Sequence, residues 1–339
     1  MRAKGVNATI VRHARLCLAA AIVSVAGFVA AVVPAAAQSA AGYPKKPVRI
    51  VVPYGAGGVG DLTMRLLADQ LGKDLKQQFF IENRPGAGGI VAMTEVLHAP
   101  ADGYTLGEMG NGQAISVSLF NHLPYDVLKD FTQISVAASF EMLLAVPDAA
   151  PYKTLKDFID AARKNPGKLN LGAINPGSTQ NLSAHLFQQV TGATFTIIPY
   201  RTTPDLVTAL LRHDVDMGFD FYAALKPLIV PGKLRIIATS GEERDPLLKD
   251  VPTVKESGIP DYVVTSWNGI GARTGTPPAI VQLLSEATIR ALRAPDIQEK
   301  AHVLGIDARG TTPQGMRDRM AADVAKWRNV IDKAHIPKQ

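Results

Sequence analysis

Cysteine is nearly absent from this chain of 339 residues, in which Cys17 is the single example. From residue 38 onward there is none, which excludes a disulfide, a thiolate metal site and a cysteine nucleophile in that part of the chain. The seven histidines are scattered without the spacing of metal ligands, and neither H-E-x-x-H nor G-x-S-x-G occurs. The sequence therefore predicts no metal, no cofactor and no catalytic centre.

Net charge is small once the first 37 residues are set aside. That leading segment carries four basic residues and no acidic one, and the remainder has 32 basic against 30 acidic residues. A nearly neutral chain lacks the excess of basic residues that is typical of a nucleic-acid-binding protein. We therefore expect no nucleic-acid partner.

Long hydrophobic runs are absent after residue 37, but Leu16–Val33 is one. A basic head precedes it, and Pro34 and the tripeptide Ala35–Ala37 follow, which is the pattern of a secretory signal peptide. The alternative is a membrane anchor, since an apolar run of this length reaches the lower limit for spanning a bilayer. The alanine content and the small-residue end favour cleavage after Ala37, leaving an exported mature chain that begins at Gln38.

Short apolar runs alternate with amphipathic helical patterns along most of the remaining chain. This alternation predicts an α/β fold with a parallel sheet. Two domains joined by strands and one large sheet both fit the pattern. Strands or extended segments are expected at positions 48–52, 79–81, 104–109, 131–146, 168–173, 195–199, 215–219 and 234–239. The tail from Pro277 is expected to be mostly helical, with helices at 278–293 and near 313–333.

The sharpest motif is Gly55–Gly60, which fits G-x-G-x-x-G between a strand and a helix that Asp61 is expected to cap. Glu82 lies 22 residues beyond the last glycine, where a dinucleotide-binding protein places its ribose-binding acid. A dinucleotide-dependent oxidoreductase is therefore one alternative. Three features argue against it. Pro53-Tyr54 interrupts the strand-to-loop junction, the Asp61 charge lies where a pyrophosphate would bind, and export would take the protein to a compartment where nicotinamide cofactors are normally scarce.

The same loop suits a smaller anion, because glycines admit close approach and a helix N-terminus presents free N–H groups. A tight turn without any ligand is the competing interpretation. A second strand–turn–helix spans Leu171–Leu182, and Gly110–Gln113 is a further candidate. Two such sites facing each other would form a clamp for a carboxylate. Asp214, Asp216 and Asp220 alternate with apolar residues, as on a strand face. A carboxylate pair for acid–base chemistry is one interpretation, and we favour a turn with one aspartate facing a ligand.

Several segments together resemble the Bordetella uptake gene (Bug) family, the solute-binding proteins of tripartite tricarboxylate transporters. The resemblance runs from Tyr43 to about Asp332. The segments that carry it are YPKKPVRIVVPYGAGGVGD (43–61), IENRPGAGG (81–89), ADGYTL (101–106), LPYDVLKDFTQIS (123–135), VDMGFD (215–220), VPTVKESG (251–258) and SWNGIGARTGTP (266–277).

The resemblance implies a type II periplasmic-binding-protein fold, with two α/β lobes around a ligand cleft. The chain would cross between the lobes near positions 138 and 263. The first lobe would then comprise positions 38–138 and 264–339, and the second lobe would comprise positions 139–263. The first glycine-rich loop would form the first-lobe wall of the cleft, and the strand–turn–helix of the second lobe would face it.

Carried over position by position, the resemblance implies the following ligand-binding residues. In the first lobe they are Tyr54, Gly55, Ala56, Gly57, Gly58, Val59, Gly60, Asp61, Ala87, Gly88, Asn111 and Gln113. In the second lobe they are Asn175, Gly177, Ser178, Thr179, Tyr200, Arg201 and Asp220. Gln113 stands where many members have histidine, and Val59 and Gly60 replace hydroxyl residues, so the ligand of other members is not transferred to this chain.

The function implied is that of a periplasmic, monomeric, non-catalytic protein. It would capture a small carboxylate-containing solute and deliver it to integral-membrane transporter subunits. An exported sensor partner that presents its ligand to a receptor kinase fits the same sequence.

Overall fold

A mixed β-sheet flanked by helices forms the structure, a computed structural model that describes residues 40–174 and 178–339. The predicted signal peptide lies outside the described residues. The strands are β1 (Val48–Val52), β2 (Phe79–Asn83), β3 (Thr105–Gly110), β4 (Phe131–Pro147), β5 (Asn170–Ile174), β6 (Thr196–Tyr200), β7 (Met217–Phe221), β8 (Leu234–Thr239) and β9 (Thr265–Arg273).

Helices follow most of the strands. They are α1 (Val59–Leu75), α2 (Ile90–His98), α3 (Asn111–Leu119), α4 (Leu155–Lys164), α5 (Thr179–Thr191), α6 (Thr203–Leu211), α7 (Tyr222–Ile229), α8 (Pro278–Leu292), α9 (Pro295–Val303) and α10 (Pro313–Lys333). Within the described ranges, none of them combines the length and apolar character needed to cross a bilayer.

The long strand β4 joins two groups of strands. Positions 131–141 of β4 pair antiparallel with β9, which in turn pairs with β3, β1 and β2. From Met142 onward, β4 pairs instead with β7 and β8, and β7 leads to β5 and β6. The strand order is β2-β1-β3-β9-β4-β7-β5-β6, with β8 on β4. Glu141 is therefore the last β4 residue paired with the first group.

The predicted α/β class is confirmed, but the sheet is not wholly parallel. β1, β2 and β3 pair parallel, as do β5, β6 and β7. The antiparallel strands are β4, β8 and β9. Alternation of strands and helices in the sequence predicts parallel pairing, but it does not reveal which strands run antiparallel. Here β9 runs antiparallel to both of its neighbours, β3 and β4.

Sequence patterns do not reveal one central strand, β9. Its glycines and polar residues are typical of a loop, but two of the glycines permit close packing. A Cβ atom on Gly269 would lie 2.3 Å from the carbonyl oxygen of Ser135, and one on Gly271 would lie 2.5 Å from Met109 Sδ. The helices α3, α7 and α9 are likewise not predicted individually by the sequence pattern.

Apolar faces of two long helices cover opposite sides of the sheet. In α1, Met64, Leu67 and Leu71 are fully buried and belong to the cluster that contains Ile50 of β1. In α10, a row of buried side chains packs with α3 and β4: Met316, Met320, Trp327, Val330 and Ile331. Burial of each such side chain contributes roughly 1.5–3 kcal/mol. The two helices therefore hold the sheet in place from both sides.

Candidate functional site

A cleft of about 640 Å³ lies between the first group of strands and the second. The predicted ligand residues that line it are Tyr54, Gly57, Gly58, Val59, Gly60, Ser178, Thr179 and Asp220. The first five come from the loop after β1 and from the first turn of α1, and the others follow β5 or lie near the end of β7. The structure therefore brings together residues from the glycine-rich loop of the first lobe and from the strand–turn–helix of the second.

The first wall is the loop after β1. Helix α1 begins at Val59, and Gly58 is its N-cap in an extended conformation with φ −75° and ψ 165°. Gly57 has φ +90°, a left-handed value that favours glycine. A Cβ atom on Gly58 would meet no atom within 4 Å, so that position is open to the cleft. The first N–H groups of a helix lack intrahelical partners, and here the first-turn residues Val59 and Gly60 line the cleft.

Asp61 supports this loop from behind and does not line the cleft. Its buried carboxylate accepts hydrogen bonds from the Gly57 amide at 2.8 Å, from Arg65 Nε at 2.9 Å and from Asn83 Nδ2 at 2.8 Å. Burial alone would raise the pKa of Asp61, but the hydrogen bonds from Arg65, Gly57 and Asn83 lower it below its usual value. The expectation that Asp61 is the N-cap is wrong, because α1 begins two residues earlier.

The other residues predicted in the first lobe, apart from Asp61, do not line the cleft: Gly55, Ala56, Ala87, Gly88, Asn111 and Gln113. Gln113 is buried, and its Oε1 accepts a hydrogen bond from the Gly110 amide at 2.6 Å. Ser116 Oγ donates to the carbonyl oxygen of Gly88 at 2.9 Å. These contacts fix the start of α3 against the turn at positions 87–89.

The second wall is the start of α5. Ser178 is its N-cap, and its hydroxyl oxygen accepts a hydrogen bond from the Asn181 amide at 3.1 Å. The sequence pattern correctly predicts this helix start. Asn175 and Gly177, also predicted to bind the ligand, lie outside the described residues. Thr179 lines the cleft and is held by Asn111, whose Nδ2 donates to the threonine Oγ1 at 2.7 Å.

Asp220 is the buried acid at the end of β7. Its carboxylate accepts hydrogen bonds from the Thr203 hydroxyl at 2.5 Å, from the Phe221 amide at 2.9 Å and from Gln180 Nε2 at 3.2 Å. Burial raises its pKa above the usual value despite these donors.

The neighbouring predicted residues are placed differently. Tyr200 and Arg201 do not line the cleft, and Arg201 is exposed. Asp214 is exposed, and Asp216 accepts a hydrogen bond from the Asn170 amide at 2.8 Å. Of the three aspartates in this stretch, Asp220 alone lines the cleft.

Sequence reasoning misses Glu108 and Asn268. Glu108 lies within β3, lines the cleft and is fully buried. Neither of its carboxylate oxygens has a hydrogen-bond partner among the described residues, and burial raises its pKa to about 8. Asn268 of β9 also lines the cleft, is 2% exposed, and has both amide atoms without a partner there. A single acid inside the apolar strand 104–109 is the signal that could have identified Glu108.

Acidic side chains outnumber basic ones among the described residues that line the cleft. Its titratable lining residues are Tyr54, Glu108 and Asp220, and in the described part of the chain no Lys, Arg or His lines it. The donors that the lining residues offer an anion include the backbone amides at the N-termini of α1 and α5 and the hydroxyls of Ser178 and Thr179. This is chemistry for binding a small anion through main-chain donors.

Glu82, the acid expected to bind ribose in a dinucleotide site, lies outside the cleft. It forms an ion pair with Arg49 at 2.8 Å and another with Arg84. Hydrogen bonding to Arg49 lowers its pKa, against the opposing effect of burial. Glu82 is therefore part of a surface ion-pair network in this structure.

Two groups of strands joined by β4, with helix N-termini facing a shared cleft, define a two-lobed solute-binding protein. The family model for the tripartite tricarboxylate transporter family receptor matches residues 63–336. The chain therefore belongs to that family, which confirms the resemblance seen in the sequence, and the protein is a periplasmic-type solute-binding protein of this family.

Relatives match over nearly their whole length. Protein BugT of Bordetella pertussis is 31% identical over 306 residues, which cover 90% of this chain and 94% of BugT. The solved structure of R. palustris Rpa4515 with adipate is 34% identical, covers 88% of this chain and 100% of its own, and has a TM-score of 0.77. MatC (Rpa3494) from Rhodopseudomonas palustris with bound malate is 32% identical, covers 85% and 100%, and has a TM-score of 0.73.

Proposed function

We propose that this protein captures a small carboxylate-containing solute in its cleft and delivers it to the integral-membrane subunits of a tripartite tricarboxylate-type transporter. The observation that carries the proposal is the pairing of two helix N-termini, those of α1 and α5, across a cleft without a cationic side chain among its described lining residues. Relatives solved with adipate and malate support the choice of a carboxylate.

In this proposal the ligand carboxylate binds to the backbone of Gly58, Val59 and Gly60 at the start of α1. Ser178 and Thr179 meet the ligand from the other wall. The positioning residues are Asp61, Asn111 and Gln113, because each holds a loop or helix start and does not line the cleft.

The lobes we propose are residues 38–138 with 264–339, and residues 139–263. The change of β4 partners after Glu141 and the start of β9 at Thr265 lie close to the expected crossings near positions 138 and 263 and support them. Closure of the lobes around the ligand would bury it. Small-angle scattering should show a smaller radius of gyration at saturation with ligand, and an unchanged radius would contradict closure.

The protein acts as a monomer in the periplasm after cleavage behind Ala37, and it has no catalytic role. The apolar run and the alanine-rich end of the leading segment support export and cleavage. Mass spectrometry of the exported protein should find an N-terminus at Gln38. Finding the intact leader on the exported protein would contradict cleavage.

A thermal-shift screen of the mature protein against small mono-, di- and tricarboxylates tests the binding function. A ligand at 100-fold above its Kd stabilises the folded state by about 2.7 kcal/mol, which gives a shift of several degrees. Titration calorimetry on each hit then measures affinity. Absence of any carboxylate hit, or saturable binding of NAD(P)H instead, would overturn the proposal.

A further inference from the structure

Two polar side chains in the cleft have no hydrogen-bond partner among the described residues, although both are more than nine-tenths buried. They are Glu108, with both carboxylate oxygens unpaired, and Asn268, with both amide atoms unpaired. An unsatisfied buried polar group costs roughly 1–3 kcal/mol, and an unpaired charge costs more. Groups of this kind in a binding cleft indicate a ligand that pairs with them.

The sheet register places the two side chains on one face. Glu108 is opposite Ile270 and Gly110 is opposite Asn268 in the antiparallel β3–β9 pair. Opposite residues share a face, and so do residues two apart on a strand. Glu108 and Asn268 are thus diagonal neighbours, a relationship that spans roughly 7–8 Å. A small donor group between them lies within hydrogen-bond reach of both.

The same two residues adjoin the proposed carboxylate site. Asn268 Nδ2 lies 3.5 Å from the position that a Cβ atom on Gly60 would occupy, at the start of α1. Glu108, Gly60 and Asn268 all line one cleft. The cleft therefore offers main-chain N–H groups to an anion and, next to them, a carboxylate and an amide oxygen to a cation or N–H donor.

We propose that the solute is zwitterionic: besides its carboxylate it carries a protonated amine, which Glu108 and Asn268 bind. This inference rests on the proposed function and names the solute class as small amino acids. The Glu108 carboxylate accepts two N–H bonds of the ammonium group, and Asn268 Oδ1 accepts the third. Binding then supplies the hydrogen-bond partners that both side chains lack among the described residues.

The competing possibility is a dicarboxylate that accepts a hydrogen bond from neutral Glu108. The two possibilities predict opposite pH dependence. With a pKa of about 8, Glu108 is mostly protonated at pH 6 in the free protein. An ammonium ligand selects the ionised form, so its affinity should rise by roughly tenfold or more between pH 6 and pH 8. A dicarboxylate selects the protonated form, so its affinity should fall over that range.

The other titratable groups lining the cleft are Tyr54 and Asp220. The phenol of Tyr54 stays neutral through this range, since its unperturbed pKa is about 10 and neither burial nor a neighbouring carboxylate lowers it. Asp220 remains present in a Glu108→Gln variant. A pH dependence that persists in that variant therefore arises elsewhere and contradicts the assignment to Glu108.

Calorimetric titration with matched probes tests the proposal. The probes are L-aspartate against succinate, L-glutamate against glutarate, and 4-aminobutyrate against butyrate, each at pH 6, 7 and 8. We expect at least one amino acid to bind at least tenfold more tightly than its partner without the amine. Glu108→Gln should weaken that binding by about tenfold or more and remove its pH dependence, whereas exposed Glu299→Gln should change neither.

The outcomes separate this inference from the proposed function. Tight binding of a dicarboxylate with no preference for the amine, or amino-acid binding that Glu108→Gln leaves unchanged, overturns the zwitterion assignment and leaves carboxylate binding intact. If no amino acid and no carboxylate binds, both proposals fail. Asn268→Ala is a second variant and should weaken the amino acid more than its amine-free partner.

Discussion

Asn111 at the start of α3 donates its side-chain amide to the hydroxyl of Thr179 at the start of α5, over 2.7 Å and a sequence separation of 68 residues. The oxygen of the same amide accepts a hydrogen bond from Trp327 Nε1 of α10 at 2.7 Å. One buried side chain thus ties together a helix after β3, a helix after β5 and the long helix α10. Its contact with Thr179 reaches the wall of the cleft.

Asn111→Ala should reduce the free energy of unfolding by about 1–3 kcal/mol, because it leaves the buried Trp327 N–H and Thr179 hydroxyl without their partner. Urea unfolding at pH 7 measures the loss. Asn329→Ala, at an exposed position of α10, is the matched control and should change stability by less than about 0.5 kcal/mol. Equal effects of the two substitutions would show that the Asn111 hydrogen bonds do not contribute to the free energy of unfolding.

Gly58→Val should weaken carboxylate binding at least tenfold while the protein keeps its fold. The new side chain projects into the cleft, where no atom lies within 4 Å of the Cβ position, so it collides with the ligand and not with the protein. Gly55→Val is the control, since Gly55 also has free space around it but does not line the cleft. Titration calorimetry measures the affinity of both variants, and melting curves show whether each is folded. An undiminished affinity of Gly58→Val would show that this loop does not contact the ligand.

Glu108→Gln should stabilise the ligand-free protein, most clearly above pH 7. The pKa of Glu108 is raised to about 8 in the folded state from about 4.5, so the folded state binds the proton more tightly. Stability from this group is therefore complete below pH 4.5 and is lost as the pH rises through 8. Melting temperatures from pH 5 to pH 9 should fall more steeply in the unchanged protein than in Glu108→Gln. Parallel curves would contradict the burial of an ionisable Glu108.

Arg319→Lys should destabilise the protein by about 1.5–3 kcal/mol, the scale of a lost hydrogen bond to a charged donor. The Arg319 guanidinium donates to Ser139 Oγ at 2.8 Å and to Thr265 Oγ1 at 2.9 Å, so it bridges β4 and β9. A lysine has one charged nitrogen and cannot span both hydroxyls in the same way. Exposed Arg328→Lys serves as the control in chemical denaturation. Unfolding of both variants at the same denaturant concentration would show that the two Arg319 hydrogen bonds do not stabilise the protein.

Much of the fold is predictable where local signals agree. The strand β1 and the helix α10 match the ranges that the sequence predicts, 48–52 and 313–333. An uninterrupted β-branched run defines the first. In the second, Thr312 caps the helix and Pro313 occupies its first position, so start signals and apolar spacing coincide.

Tertiary packing overrides local signals where the prediction fails. The helix α3 opens at Asn111-Gly112, where the sequence pattern predicts no helix, and it lies against a distant strand. At Gly110 a Cβ atom would lie 2.3 Å from the carbonyl oxygen of Trp267, on a strand that is distant in the sequence. Sequence patterns within a short window do not contain such information.

Prediction of the site is limited in the same way. The glycine-rich loop and the Ser178 turn carry recognisable anion-binding patterns, and residues from both line the cleft. Glu108 and Asn268 lie on strands, where no motif marks a functional residue. The two residues are neighbours because β9 lies between β3 and β4 in the sheet.

The position of β9 has a consequence for biogenesis. β9 pairs on one side with β3 and on the other with β4, yet it is the last of the described strands to be synthesised. Until Arg273 emerges from the ribosome, both neighbours lack the strand that joins them, and α10, which covers this region, follows later still. Pairings of such long sequence separation form slowly. We therefore expect this group of strands to complete its sheet only late in synthesis, which would favour the export of an unfolded chain that we propose.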